Sequence, residues 1–271
     1  MTLIELLIAL AIAGILIAAV YKTFISHEKT YQVQGEVVDM QQNVRALTNR
    51  MMREIRMAGF GNVSMLLPAP YGSGPGITIG AKTYNDVVNP NYPAAGALSF
   101  VAGMGSTTLT ATPATNQITV SSLTDSQGNT LFDTQNLKYI SIGGVESNTI
   151  TAINGTTLTL SSNLIYSYPV NTPVFGIRAI SYQVVNGSLL RNDNSGAVGQ
   201  PQTLADNIDA LQFVYLDGNG NSTANPPDIR VVQLTLRAKT NDSDPDYKSA
   251  GGYRKRTIAS NIHLRNMGLG L

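Results

Sequence analysis

The first 21 residues, from Met1 to Tyr21, form an apolar run in which Glu5 is the only charged residue. The stretch from Leu6 to Val20 contains no polar side chain. With its flanks it approaches the ~20 residues that a helix needs to cross the hydrocarbon core of a bilayer. The run therefore predicts a membrane-spanning helix at the amino-terminal end of the chain.

Glu5 is the unusual residue of this run. A carboxylate is costly to leave unpaired in hydrocarbon, so an acid near one end of such a segment indicates a cationic partner that arrives on assembly. An amine from another copy of the chain is the natural partner. A secretory signal peptide opens with Lys or Arg and closes at a small-residue cleavage site. Because the run has neither feature, we interpret Met1 as a processed end.

The helical pattern continues beyond the apolar run and becomes amphipathic. Apolar residues recur at intervals of three or four, and Gly59 and Gly61 follow the last of them. The pattern predicts one continuous helix from about Thr2 to Ala58, ~85 Å long at 1.5 Å per residue. The apolar stripe that is predicted to pack on the rest of the chain consists of Val33, Val37, Met40, Val44, Leu47, Met51 and Ile55.

Beyond residues 1–58 the composition changes from loop-like to strand-like. Residues 59–96 are rich in Gly, Pro, Asn and Tyr and are predicted to form a loop. Residues 97–172 contain six short runs rich in Thr, Val and Ile, which predict a β-rich insert in the form of a small sandwich or barrel. Residues 173–271 contain a hairpin with Asn186-Gly187 at its turn and then three alternating runs, which predict an antiparallel sheet that packs on the helix. The expected fold class is α+β.

The segment TLIELLIALAIAGIL, which begins at Thr2, is similar to the mature amino terminus of type IV pilins and of type II secretion pseudopilins. The resemblance implies a type IV pilin fold, in which a long amino-terminal helix packs on an antiparallel β-sheet head. It also implies that a prepilin peptidase trims the chain, that Met1 is N-methylated, and that Glu5 pairs with the amino group of a neighbouring Met1. Members of this family usually carry Phe at the first position, so Met1 departs from their pattern.

The same resemblance implies partners and a location. The subunit would lie in the cytoplasmic (inner) membrane before assembly and in an extracellular pilus at the cell surface afterwards. Its partners would be copies of itself or other pilins, the prepilin peptidase and the type IV assembly machinery. The residues expected to pack in the filament core are Leu3, Leu6, Leu7, Leu10, Ile15, Val20 and Phe24.

A second, narrower resemblance covers the end of the helix and the last third of the chain. The blocks RMAGFGN, ISYQVVNGSLLRND, LADNIDALQFVYLDGNGN, IRVVQLTLRAK and IHLRN resemble those of PilW-type minor pilins. This resemblance implies a minor subunit in a tip or initiation complex. The alternatives are a major fibre-forming pilin, a type II secretion pseudopilin, and a filament-borne adhesin in which the β-rich insert is the binding module.

The segment DGNGNSTANPPD partly matches a calcium-binding loop. Asp217, Asn219 and Asn221 alternate along it, and Asp228 is its twelfth residue. However, Ser222 replaces the glycine of the sharp turn, and an Asp replaces the bidentate Glu. A solvated loop between strands is therefore favoured over a calcium site, and no other cofactor is expected.

The composition bears on several other kinds of function. The chain has no cysteine, which excludes structural disulfides, thiol catalysis and zinc–thiolate sites. Neither His27 nor His263 lies in a catalytic spacing, so no enzymatic activity is predicted. A net charge of +1 makes nucleic-acid binding an unfavoured interpretation. The basic residues near the end of the helix are instead expected to pair with acids within or between subunits: Arg45, Arg50, Arg53 and Arg56 with Glu36, Asp39 and Glu54.

Overall fold

The computed structural model describes residues 2–193, 200–244 and 246–267. Its helix α1 runs without interruption from Leu3 to Arg56. These 54 residues extend over ~81 Å. The prediction of one continuous helix is confirmed, and its carboxyl end lies two residues before the expected one. Gly59, at φ +80°, then turns the chain towards the sheets, and its N–H donates to the carbonyl oxygen of Val101 at 2.9 Å.

Fourteen β-strands and three short 3₁₀ helices follow α1 in the described residues. The 3₁₀ helices are Val63–Leu66, Pro226–Asp228 and Ala250–Gly252. The strands are β1 (Ile77–Ile79), β2 (Lys82–Tyr84), β3 (Val88–Pro90), β4 (Leu98–Thr108), β5 (Gln117–Thr119), β6 (Tyr139–Ile142), β7 (Glu146–Asn154), β8 (Thr157–Leu160), β9 (Pro173–Val185), β10 (Ser188–Asn192), β11 (Gln202–Ala205), β12 (Ile208–Leu216), β13 (Val231–Lys239) and β14 (Lys255–His263).

Nine of these strands form one antiparallel sheet in which β9 is central. One edge of β9 pairs with β4 over nearly its whole length, and the other edge pairs first with β6 and then with β10. The sheet continues from β10 to β11 and from β6 through β7 and β8 to β5, while β3 pairs with β4. Asn186 and Gly187 connect β9 to β10, and both have positive φ, as a type I′ turn requires. The predicted hairpin is confirmed.

Strands β12, β13 and β14 form a second antiparallel sheet in that order. This is the sheet that was predicted to receive the helix, and α1 packs against β13 and β14. Each buried residue of α1 lies three or four positions from another one, and that spacing places them on one face of the helix. They are Met40, Val44, Leu47, Thr48, Met51 and Ile55.

A second cluster of buried apolar residues lies almost entirely within residues 97–172. The β-rich segment therefore has a core of its own, but it does not form a separate sandwich or barrel. Because β4 and β6 both pair with β9, the hydrogen-bonded sheet crosses the expected boundary between residues 172 and 173. The cluster consists of Leu109, Ile118, Val120, Leu131, Phe132, Ile140, Ile142, Ile150, Leu158, Leu160, Tyr168 and Val174.

Residues 59–96 are more ordered than a loop. They contain β1 and β2, which pair with each other, and β3, which extends the large sheet beside β4. Each of these strands has only three residues. Such short runs cannot show the alternation of apolar and polar residues by which a strand is identified from sequence.

The same kind of substitution is predicted to affect stability very differently in the two halves of α1. Met51 is fully buried, whereas Ile17 is 70% exposed on the same helix. We expect Met51→Ala to lower the free energy of unfolding of the head by about 2–5 kcal/mol, since it leaves a cavity. Ile17→Ala is the matched control and should change it by less than about 0.5 kcal/mol. Chemical denaturation of the full chain in detergent, followed by circular dichroism, measures both. Equal effects of the two substitutions would contradict the division of the helix.

Candidate functional site

The amino-terminal half of α1 has no packing partner within the described chain. Every residue from Thr2 to Glu28 is exposed. The seven residues expected to pack in a filament core are all uncovered, with between 54% and 79% of each exposed: Leu3, Leu6, Leu7, Leu10, Ile15, Val20 and Phe24. A continuous apolar surface of this kind on a water-soluble monomer is unfavourable, so it indicates a surface that is covered by lipid or by another chain.

Among the described residues, α1 is the one helix that is long and apolar enough to cross a membrane. Its apolar part is not buried at all, which distinguishes it from the core helix of a globular domain. A membrane anchor and a signal segment share these properties. The helix is therefore consistent with association of the chain with a membrane.

Glu5 closes a capping box at the start of this helix. Its Oε2 accepts a hydrogen bond of 2.8 Å from the backbone N–H of Thr2, and the Thr2 hydroxyl accepts one of 3.4 Å from the N–H of Glu5. A carboxylate here also interacts favourably with the positive end of the helix dipole. Within its own chain the acid therefore stabilises the helix terminus. Met1, the predicted site of methylation and of the partner amine, lies outside the described residues.

The candidate calcium loop is held by its own hydrogen bonds. Asp217 Oδ1 accepts from the backbone N–H groups of Asn219 and Asn221, both at 2.8 Å, and these bonds lower the pKa of the Asp217 carboxyl. At the other end of the loop, Asp228 Oδ2 accepts from Asn225 Nδ2 at 2.8 Å. Within the described ranges, no group of three or more His, Cys, Asp or Glu side chains is arranged to hold a metal. Calcium binding stays a prediction.

A charged cluster connects the end of α1 to the large sheet. Glu54 accepts from Arg50 Nε at 3.2 Å, which is the predicted pairing within the helix. Its other oxygen accepts from the Tyr182 hydroxyl at 2.6 Å and from Arg191 Nε at 2.8 Å. Arg191 also donates to Asp193 at 2.6 Å. Because Tyr182 lies on β9 and Arg191 on β10, this cluster joins the helix to both strands of the predicted hairpin.

The buried surroundings of the Glu54 cluster shift the pKa values of Tyr182 and Arg191. Burial of Tyr182, reinforced by the negative charge of Glu54, raises the pKa of its phenol. Burial alone lowers the pKa of the Arg191 guanidinium, but its hydrogen bonds to Glu54 and Asp193 and the negative charges of these two residues together outweigh burial, so the pKa is raised. Arg191 therefore stays charged and Tyr182 stays neutral at physiological pH. Sequence reasoning did not identify these two partners of Glu54, because they lie more than a hundred residues away along the chain.

A groove of about 1150 Å³ lies beyond the carboxyl end of α1. Its walls include Phe60, Tyr71, Val145, Arg230 and Asn266, which come from five separate segments of the chain. The Tyr71 hydroxyl is buried beside it, and burial together with the charge of Asp86 raises the pKa of this phenol. No pattern in the sequence pointed to the groove, because its walls are brought together only by the tertiary fold.

The raised pKa of Tyr182 predicts a loss of stability in alkaline solution. An unfolded tyrosine releases its proton near pH 10, whereas the folded chain holds the Tyr182 proton above that pH. The folded state then binds more protons than the unfolded state, so its stability falls as pH rises above about 10.

We expect Tyr182→Phe to make this alkaline decline shallower by up to ~1.4 kcal/mol per pH unit. The matched control is Tyr31→Phe, which removes a phenol that is 70% exposed. Urea denaturation at pH values between about 8 and 11 measures the two slopes. An unchanged slope in Tyr182→Phe would contradict the role of this buried phenol.

Comparisons with protein-family models, with curated proteins and with solved structures give no match to this chain.

Proposed function

We propose that this chain is a structural subunit of a type IV pilus-like filament that polymerises through its hydrophobic amino-terminal helix. The observation that carries the proposal is the division of α1. One half of the helix is part of the core of the head, and the other half is apolar and completely exposed. A membrane can cover the exposed half of a monomer, and the helices of neighbouring subunits can cover it in a filament.

The energetics support such an exchange. Burial of apolar surface contributes about 25 cal/mol per Å², and each large side chain that is covered contributes roughly 1.5–3 kcal/mol before entropy is subtracted. The exposed half of α1 offers more than a dozen such side chains. This burial has no preferred direction, and it holds neighbouring subunits together. Glu5 supplies register, because a misplaced neighbour would leave its charge unpaired in an apolar environment.

Within this proposal, the chain is a minor pilin of the PilW type that acts in a tip or initiation complex. Its large head, with two clusters of buried residues, supports a specialised subunit. A prepilin peptidase would process the chain, and Met1 would carry the N-methyl group and pair with Glu5 of a neighbour. The subunit would pass from the cytoplasmic membrane to the cell surface, and its role is not enzymatic.

One observation favours a second candidate function, that of a filament-borne adhesin. The β-rich segment carries a set of four exposed apolar side chains, those of Val145, Ile165, Tyr166 and Val170. The buried carboxylate of Glu146 holds this surface in place by accepting from the N–H groups of Ile165 and Tyr166 and from the Tyr168 hydroxyl. Because Glu146 fixes the backbone beneath these exposed apolar side chains, they can form a binding surface for a partner.

Glu5 provides the test of the assembly proposal. Glu5→Gln keeps an oxygen that can accept from the Thr2 N–H but removes the charge, whereas Glu5→Ala removes both. We expect both variants to enter the membrane with a folded head and to be incorporated into filaments at least about tenfold less than the native chain, since the charge sets the register. Glu28→Gln is the matched control on the exposed part of α1 and should assemble normally. Immunogold labelling of sheared filaments measures incorporation.

The outcomes separate the alternatives. Normal filament content of Glu5→Gln would overturn the pairing of Glu5 with a neighbouring amine. For the native chain, labels along the whole fibre would indicate a major pilin, and rare labels at fibre ends would support the minor-pilin proposal. An absence of label would favour a pseudopilin near the membrane.

The adhesin candidate is tested by substitution, because deletion of residues 97–172 would remove both β4 and β6 from β9. We expect Ile165→Ser combined with Tyr166→Ser to leave assembly unchanged, since both side chains are exposed. If the surface is adhesive, binding of the piliated cells to an apolar surface should fall several-fold. Val185→Ser is the matched control, because Val185 is also exposed but lies outside the β-rich segment. Unchanged binding by the double variant would remove the adhesin candidate.

A further inference from the structure

The second sheet ends in a long strand with an open edge. Strand β14 pairs with β13 over nine consecutive residues without a register shift. In the described part of the chain no strand pairs with its other edge. Edge strands of natural proteins are usually short, bulged, interrupted by proline or covered, because an open edge can pair with another chain. Strand β14 has no bulge and no proline.

The register identifies which backbone groups face outward. Just beyond the two ends of the pairing, the N–H of Leu264 donates to Arg230 and the N–H of Thr240 donates to Arg254, both at 2.9 Å. In an antiparallel pair, hydrogen-bonded residues alternate with residues whose N–H and C=O point away. The even-numbered residues of β14 therefore bond to β13. The outward groups belong to Lys255, Thr257, Ala259, Asn261 and His263.

The side chains of these same residues lie on the solvent-facing side of the sheet. All five of these residues are exposed, whereas Ile262 is buried and Ile258 is half-buried under the helix. The side chains in the middle of the row, those of Thr257, Ala259 and Asn261, are small and uncharged. They leave room for another backbone to approach. A row of alternating N–H and C=O groups, repeated every ~6.8 Å, is complementary to one kind of partner, an extended polypeptide.

The charge along this edge narrows the choice of partner. The segment from Lys255 to Arg265 contains three basic residues, Lys255, Arg256 and Arg265, and no acidic residue. Because Lys255 Nζ donates to Asp209 Oδ1 at 3.0 Å, Arg256 and Arg265 are the charges that this edge offers to a partner. Pairing of two copies through this edge in antiparallel fashion would place Lys255 opposite His263 of the other copy. It would also direct the two α1 helices in opposite directions, which two chains anchored in one membrane do not allow. A second copy is thus a poor occupant.

We propose that the outer edge of β14 binds an extended segment of a different polypeptide by strand addition, and that acidic residues flank this segment. Main-chain hydrogen bonds to Thr257, Ala259 and Asn261 provide the pairing, and Arg256 and Arg265 attract the acidic flanks. This strand addition involves the head alone and does not require assembly of the filament.

Hydrogen exchange of the full chain in detergent micelles tests the proposal. The probe is a synthetic peptide of four alternating Val-Thr pairs with two Asp residues at each end, added at up to about 1 mM. We expect the peptide to slow exchange of the N–H groups of Thr257, Ala259 and Asn261 by at least about tenfold. The inward N–H groups of Ile258 and Ile262 should be protected with and without peptide.

Two controls separate pairing from general adsorption. Ala259→Pro removes an N–H that does not donate to β13, and edge strands tolerate proline at such positions. It should abolish the added protection, whereas Ala259→Val, which keeps the N–H, should retain it. A peptide that is N-methylated at every Val and Thr has no N–H left to donate along either edge, so it should not protect the edge of the native chain, and this control does not require a variant to fold. Failure of the unmodified peptide to protect the edge, or equal protection by the N-methylated peptide, would overturn the proposal.

Discussion

The contact between the second half of α1 and the two sheets is the interaction on which the head depends. Met51 and Ile55 are fully buried in the main core, and each such side chain contributes about 1.5–3 kcal/mol. Four residues of the second sheet, Val232, Leu234, Leu236 and Ile262, are also fully buried in this core. Glu54 adds direction to this non-directional contact, because its bonds to Tyr182 and Arg191 fix the helix against the large sheet as well.

The apolar residues in the first half of the same helix are not buried by the two sheets. A helix of ~81 Å is much longer than the head can cover, so the apolar residues before Glu28 need a partner outside the chain. Because the helix is continuous, the position of that partner is coupled to the position of the head. Helix α1 thus joins a head whose core is packed to an apolar surface that another molecule has to cover.

Strand β9 has the same connecting role within the β structure. It joins the main core to the second cluster, since its two edges carry strands from both parts of the chain. Sequence reasoning recognised the strand itself and its turn at Asn186-Gly187, because alternation and turn chemistry are local. It placed residues 97–172 in a separate unit, because the pairing of Leu98 with Tyr182 joins positions more than eighty residues apart. No local pattern specifies such a partner.

The sequence by itself determined the long helix, the face of it that is buried, the apolar half that is exposed and the α+β class. These follow from periodicity and composition, which act over a few residues at a time. Tertiary structure alone decided how the strands divide between two sheets, which side chains surround Glu54, where the groove beyond α1 lies and which edge of β14 stays open. Each of these depends on backbone and side-chain groups that are distant in the chain and become neighbours only when the cores are packed.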